Sequence, residues 1–483
     1  MAETARNLLI IMSDEHRRDA LGCMGHPLAL TPYLDALAAR GAVFDNGYTP
    51  SPMCVPTRAS LACGDYVHRT GYWDSATPYD GQISSWMKQV RDRGIDVTSI
   101  GKLHFRSAED DNGFTEEILP MHVVNGVGWA VGLLRKDPPP YSAARELADD
   151  VGTGSSTYTD YDLSITAAAE AWLRDRRDTK TAWMAFVSLV SPHYPLTCPQ
   201  EFYDLYDPAV IDTPIGYEEG LVPEHSELKN VAGFFDYDRY FDADRMRRAK
   251  AAYYGLVSFM DDCVGRILTA LDDSGQADET LVIYVSDHGD MLGDHGFWTK
   301  QVMYEASVGV PMIAAGPGIR PGTRVKTATT LLDVSATALR LASVPNQDAA
   351  APGRSLIELA EGEDEPDRTV FSEYHDGGST TGTFMVRWDR WKYVYYVDHA
   401  PQLFDLHADP EERRDLALSE KPSLDVQKAL VEGAQRLRAI CDPEQVNRQC
   451  FEDQKRRIDE LGGRQACRDA YVFNHTPAPV RAD

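Results

Sequence analysis

Four short, continuously apolar runs each close on residues that titrate. Asn7–Ser13 leads into Asp14-Glu15, Asp96–Ile100 into Gly101-Lys102-Leu103-His104, Ala182–Val190 into Ser191-Pro192-His193, and Thr280–Val285 into Ser286-Asp287-His288. A strand that is apolar along its whole length is covered on both faces, so these runs predict an α/β fold with a mostly parallel central sheet between helices. The carboxyl ends of parallel strands lie along one edge, and ligands bind in the crevice beyond that edge. One crevice holding carboxylates, imidazoles and an ammonium is therefore expected. Asp287-His288-Gly289-Asp290 is the strongest single element, because such groups directly after a buried strand are costly unless something binds them.

A further apolar run at 308–316 predicts another strand. Thr31-Pro32 reads as the N-cap and first residue of a helix that Gly41 ends, and Asp244 as the cap of a long amphipathic helix reaching about Leu271. Beyond residue 343 turn formers and charge accumulate, and "TVFSEY", "TFMVRWDRWKYVYYVD" and "QLFDL" read as antiparallel strands. The expected organisation is an α/β catalytic domain over 1–350, a small α+β domain over 366–440, and a C-terminal helix and arm over 441–483. A charged helix is expected from about Lys421, and a terminal arm of this kind suits a homo-oligomer, dimer or tetramer.

Charge narrows the partners. With 48 basic and 75 acidic residues the formal net charge is −27, which repels nucleic acid and anionic membrane. An anionic substrate then needs a local group of cations, and Arg58, Lys102, His104, His193 and Lys300 are the candidates. The early apolar run Leu8–Met12 is too short for a signal-peptide core or a membrane span, and the eight cysteines form no CxxC pairs. A cytoplasmic protein with mostly free thiols is expected. Asp14, Glu15, Asp287 and His288 make an oxygen-rich ligand set with one nitrogen, suited to one hard or borderline divalent ion. Ca²⁺ or Mn²⁺ is expected ahead of Mg²⁺ or Zn²⁺. Trp73, Trp129, Tyr194 and Trp298 are available for an aromatic pocket or for the core. Asp74 and Asp290 could meet a cationic leaving group or support the site from behind, and His295 reads as structural.

Cys54-Val55-Pro56-Thr57-Arg58 is an unusual setting for a thiol, with a proline two residues on and a cation at the fourth. It matches the C-x-P-x-R signature of the type I sulfatases, within the alkaline phosphatase superfamily. "GKLHF", "SPHYPL", "SDHGDMLGDHGFWTK" and "PQLFDLHADPEERRDLA" resemble that family's other blocks, in order. The resemblance implies that Cys54 is oxidised by a formylglycine-generating enzyme to an aldehyde, whose hydrate joins the metal set and acts as the nucleophile. It further implies a small anionic ester as substrate, with Arg58, Lys102, His104, His193 and Lys300 assisting. Hydrolysis of sulfate monoesters of the aryl type is the first expectation. Asp14-Glu15 and His288 stand where many sulfatases carry Asp-Asp and Asn. Asp-His is closer to the phosphonate monoester hydrolases, whereas "GKLHF" with "DDNGFTEEILP" is similar to the choline-sulfatases, so both remain alternatives.

Overall fold

The computed structural model describes residues 5–141, 143–218, 223–345, 350–470 and 476–479. Its centre is an eight-stranded sheet of β1 (Asn7–Asp14), β2 (Ala42–Phe44), β3 (Asp96–Lys102), β4 (Glu116–Met121), β5 (Trp183–Pro192), β6 (Thr280–Ser286), β7 (Met312–Ala315) and β8 (Thr323–Val325), in the spatial order β8-β2-β7-β6-β1-β5-β3-β4. The run from β6 to β4 is parallel throughout, while β7 is antiparallel to both β6 and β2. A second sheet, β9 (Val370–Tyr374), β10 (Thr383–Trp388), β11 (Trp391–Tyr396) and β12 (Gln402–Asp405), is a four-stranded antiparallel meander. The helices used below are α1 (Pro32–Ala39), α2 (Cys54–Cys63), α3 (Thr157–Asp175), α4 (Ala243–Asp273), α5 (Leu424–Ile440) and α6 (Pro443–Glu460).

β1 shows why a fully apolar run was needed. Leu9 and Ile11 pack with side chains of α1, α3 and α4, including Leu34, Ile165 and Val264. Leu8, Ile10 and Met12 pack on the opposite face, with Ala59 and Leu61 of α2 and with Trp86 and Val334. Both faces are therefore core, and alternation of polar residues would have been penalised on either side. No helix of the described residues is long and apolar enough to cross a membrane. All eight cysteines are free thiols.

Several local expectations are corrected. The run 308–316 is not one strand: Glu305–Val308 is helical and only Met312–Ala315 joins the sheet, because Pro311 has no N–H to give a ladder. The long helix α4 is capped by Asp242, whose carboxylate accepts the Arg245 N–H, rather than by Asp244. α1 ends at Arg40 without a left-handed glycine, and Gly41 is needed instead for close approach, since a Cβ there would lie 2.2 Å from the Ala314 carbonyl oxygen. Thr31 does precede α1, but its side chain caps none of the helix's N–H groups and accepts the Gly22 N–H at 2.9 Å. The Tyr33 and Leu34 N–H groups donate to the Asp261 carboxylate of α4 instead. The charged C-terminal helix starts at Leu424, capped by Ser423, and is followed by α6. Part of the turn-rich boundary region (346–349) and most of the terminal arm (471–475 and 480–483) lie outside the described residues.

Candidate active site

Cys54 is the first residue of α2, and the local sequence explains its neighbours. Pro56 falls in the first turn, where its missing N–H has no intrahelical partner to lose. Arg58 follows four residues later, one turn along the same face. Thr49 and Thr57 hydroxyls meet at 2.7 Å behind the helix start, and the Glu373 N–H of β9 donates to the Pro50 carbonyl at 2.9 Å. The second sheet thereby braces the segment that presents Cys54.

The strand ends are bent to aim their last side chains. Pairing of β1 with β5 shifts register between Met12 and Asp14, and pairing of β3 with β4 shifts between Ile100 and Lys102. Gly101 permits the second bulge: its φ is 103°, and a Cβ would sit 2.3 Å from the Ser188 carbonyl oxygen. Four non-glycine residues in the left-handed region border the centre, Glu15 (φ 67°), His104 (φ 55°), Thr299 (φ 63°) and Gln301 (φ 82°). Each such conformation costs about 1–3 kcal/mol and persists where surrounding structure imposes it. Here they flank Asp14 and Lys300 and place His104 itself.

The structure brings every predicted residue into one buried cluster. Asp14 is its hub. It accepts from Arg58 Nη2 at 3.1 Å and pairs with the Lys102 ammonium, while His288 Nε2 lies 3.8 Å and Cys54 Sγ 3.7 Å from its Oδ1. Arg58 also donates from Nε to Asp287 at 2.9 Å, and from Nη1 to Ser188 Oγ and the Lys102 carbonyl, both at 2.9 Å. Glu15 turns the other way, toward Lys300 Nζ at 2.9 Å and His193 Nε2 at 3.2 Å. His193 Nδ1 donates to the Tyr194 carbonyl at 2.7 Å, so its Nε2 is the acceptor for Lys300 Nζ at 3.0 Å. His104 is buried, and neither ring nitrogen has a hydrogen-bond partner.

These contacts set the charges. Burial would raise the Asp14 carboxyl, but Lys102, His193, Arg58 and His288 together hold it well below the usual carboxylate range. Burial, reinforced by Asp14, pushes the Cys54 thiol up to about 12, leaving it protonated and inert at neutral pH. Burial also lowers His104, helped by Lys102 and Arg58, and lowers His193, helped by Lys300. For Lys300, burial works downward, yet the neighbouring carboxyl groups of Glu15 and Asp14 outweigh it and keep the ammonium charged. The resting arrangement thus has neutral imidazoles beside a charged lysine.

The donor set fits a divalent cation. Asp14, Cys54, Asp287 and His288 each offer one ligand atom, all within 4.8 Å of one another. His288 Nδ1 donates to the Gly289 carbonyl at 3.0 Å, which turns the Nε2 lone pair toward the cluster, as a ligating imidazole requires. A second group, Asp14, Glu15 and His193, lies alongside. Glu15 therefore stands apart from the four-residue set, although its buried Oε1 has no hydrogen-bond partner.

A cavity of about 80 Å³ opens over Cys54, His104, His193 and Lys300. Its walls include Trp129, Tyr141, Tyr194, Phe235 and Tyr237. Trp129 and Tyr194 were visible candidates from the sequence, whereas Trp73 donates to Asp453 and Trp298 stacks on Phe241 at 3.7 Å, both as core. Asp74 is taken up by Gln454, Thr77 and the Ala76 N–H, and Asp290 by the N–H groups of Leu292 and Thr299. His295 is structural, stacked on Tyr304 and bonded to the Glu411 carbonyl.

Sequence reasoning missed Ser188, Tyr141, Phe235, Tyr237 and Asp162. Asp162 carried a signal, a carboxylate on the buried face of α3. It accepts the N–H groups of Val190 and Ser191, both at 2.7 Å, and so fixes the end of β5 that carries His193. Asp162→Ala is expected to destabilise the fold by about 1–3 kcal/mol for each orphaned N–H, measured by denaturant unfolding. An unchanged midpoint would remove this bracing role.

The model of the family described as Sulfatase matches residues 6–344, and that described as N-sulphoglucosamine sulphohydrolase, C-terminal, matches residues 293–439. The choline-sulfatase of Rhizobium meliloti (strain 1021) is 32% identical over 93% of this chain and 90% of its own. Arylsulfatase K of Danio rerio is 30% identical over 85% and 80%. The crystal structure of the phosphonate monoester hydrolase of Agrobacterium radiobacter superposes with a TM-score of 0.72 at 22% identity, covering 90% of this chain and 95% of that one, and shows the shared fold. With a signature cysteine at a helix start, a convergent ligand set and a family model spanning most of its length, this chain belongs to the sulfatase family.

Proposed function

We propose that the protein hydrolyses sulfate monoesters of aryl or other small alcohols, with position 54 as the nucleophile after conversion of its thiol to formylglycine. The observation that carries this reading is Cys54 itself. It lies at the start of a helix, between a ligand set (Asp14, Asp287, His288) and a group of proton-handling and cationic residues (Lys102, His104, His193, Lys300), under an aromatic cavity. As a thiol pushed up to about 12 it has little use there, and a hydrated aldehyde offers the hard oxygen that such a ligand set prefers. The hydrate would supply a nucleophilic oxygen and a second hydroxyl whose deprotonation expels sulfate and restores the aldehyde. A divalent cation held by Asp14, Asp287 and His288 would neutralise charge on the sulfuryl oxygens and acidify the hydroxyl at position 54.

The chain's own residues do the rest. Lys102 and Arg58 offset the Asp14 and Asp287 carboxylates beneath the site, so the transferring group meets fixed, already oriented charge that needs no reorganisation. Lys300 Nζ, hydrogen-bonded to His193 Nε2, holds the proton that the leaving alcohol requires. His104, neutral and with both nitrogens unpartnered, is free to accept a proton at the next step. The division at about residue 350 and assembly into an oligomer are parts of the same proposal.

Peptide mass spectrometry of the Cys54 segment, together with kcat/KM on matched aryl sulfate and aryl phosphonate esters, tests it. Aldehyde at position 54 and a sulfate preference are expected; a phosphonate preference would replace the substrate assignment. The aromatic walls and the choline-sulfatase relative favour one second reading, choline sulfate, because aromatic faces attract quaternary ammonium. A kcat/KM for choline sulfate above that for the aryl ester would select it. His193→Ala should slow esters of poor leaving groups by about 10²–10⁴-fold and activated aryl esters much less. Equal losses across leaving-group pKa would end the proton-delivery role of the His193–Lys300 pair.

A further inference from the structure

We propose that residues 476–479, near the end of the chain, form a strap that completes one wall of the active-site cavity and limits the leaving group it admits. The inference rests on the reading above, in which that cavity receives the alcohol part of the ester.

Thr476 is buried, with 7% of its surface exposed, and lines the cavity together with Cys54, His104, His193 and Lys300. Its carbonyl accepts the Tyr158 hydroxyl of α3 at 2.7 Å across 318 residues of sequence. The Tyr158 ring in turn stands edge-on to His193, with centroids 5.7 Å apart and planes at 66°, and lies 6.0 Å from the Lys102 ammonium. Two residues on, Ala478 packs against the core cluster to which Tyr158 belongs. The strap thus touches the cavity at Thr476, which is also hydrogen-bonded to Tyr158, and is held a second time by Ala478.

Its sequence suits the task. Thr476-Pro477-Ala478-Pro479 alternates prolines with residues that prolines force into extended conformations. Such a segment loses little backbone freedom on docking, so a single hydrogen bond and one small apolar contact can hold it. A flexible tail with the same two contacts would dock more weakly.

Two full-length variants test the strap. Tyr158→Phe removes the anchoring hydrogen bond, and Pro477→Gly with Pro479→Gly removes the stiffness. In each, the preference for phenyl sulfate over a bulkier naphthyl sulfate, taken as a ratio of kcat/KM, should fall by about fivefold, the equilibrium effect of losing one hydrogen bond. A second readout needs no turnover. In protein whose Cys54 is still a thiol, the slow alkylation of Cys54 by iodoacetamide at alkaline pH, where some thiolate forms, should accelerate by a similar factor, with Cys23 unchanged as internal reference. Both variants keeping the wild-type ratio and alkylation rate would overturn the strap. So would an equal loss on both esters with an unchanged alkylation rate, which is the signature of general destabilisation. If no sulfate ester turns over but Cys54 alkylation still accelerates, the functional reading falls and the strap stands.

Discussion

Cys54→Ala is expected to lower kcat by on the order of 10⁵–10⁶-fold, the loss typical of removing a catalytic nucleophile, while leaving the unfolding midpoint within about 1 kcal/mol of wild type. The side chain is small and buried, and its two polar contacts, His288 Nε2 at 3.0 Å and Asp14 Oδ1 at 3.7 Å, are both available to water in the variant. Cys54→Ser separates the two roles of the position. A serine oxygen could take the sulfuryl group but has no second hydroxyl to release it. No more than a single turnover per site is therefore expected, with sulfate left covalently bound to the peptide that carries position 54. Sustained turnover by either variant would remove position 54 as nucleophile.

Asp14→Ala should be the most damaging change to the site as a structure. Arg58 and Lys102 are 2% and 0% exposed, and each loses a carboxylate partner at once. Leaving a buried charge uncompensated costs about 3–5 kcal/mol, and here Asp287 is the carboxylate left to answer for Arg58. Because Asp14 supplies one of the four candidate ligands, bound divalent metal in elemental analysis should fall with activity. The pH dependence has a definite sign. The folded-state pKa of Asp14 is depressed, so its contribution is present above the unfolded value of about 3.9 and is lost as pH falls through the folded value. The stability gap between wild type and Asp14→Ala should be constant near neutrality and narrow below about pH 4. An unchanged melting midpoint with unchanged metal content would refute Asp14 as hub.

Most of the chemistry was legible because it sits at strand ends. Asp14, Lys102, His193 and Asp287 each follow a buried run, and parallel strands gather their carboxyl ends on one edge whatever the strand order. Arg58 was legible because a helix places the fourth residue beside the first. Helix ends were read less well. Asp242 rather than Asp244 caps α4, since two acids lie within one turn and the sequence alone does not say which of them accepts the first free N–H. β7 was read as a longer strand because apolar composition does not reveal that Pro311 and the helical turn before it shorten the ladder.

The sequence by itself determined the class of fold, the residues of the buried polar cluster and the edge of the sheet where they meet, because each follows from local periodicity and from where apolar runs stop. Only the tertiary structure decided the pairings and the shape. Arg58 bridges Asp14 and Asp287 while Glu15 turns to Lys300, and the cavity is walled by Tyr141, Phe235, Tyr237 and Thr476, brought from distant parts of the chain. Contacts between residues so far apart are selected by the packing of whole elements and by the pairing of buried charge, and neither leaves a local pattern in the chain.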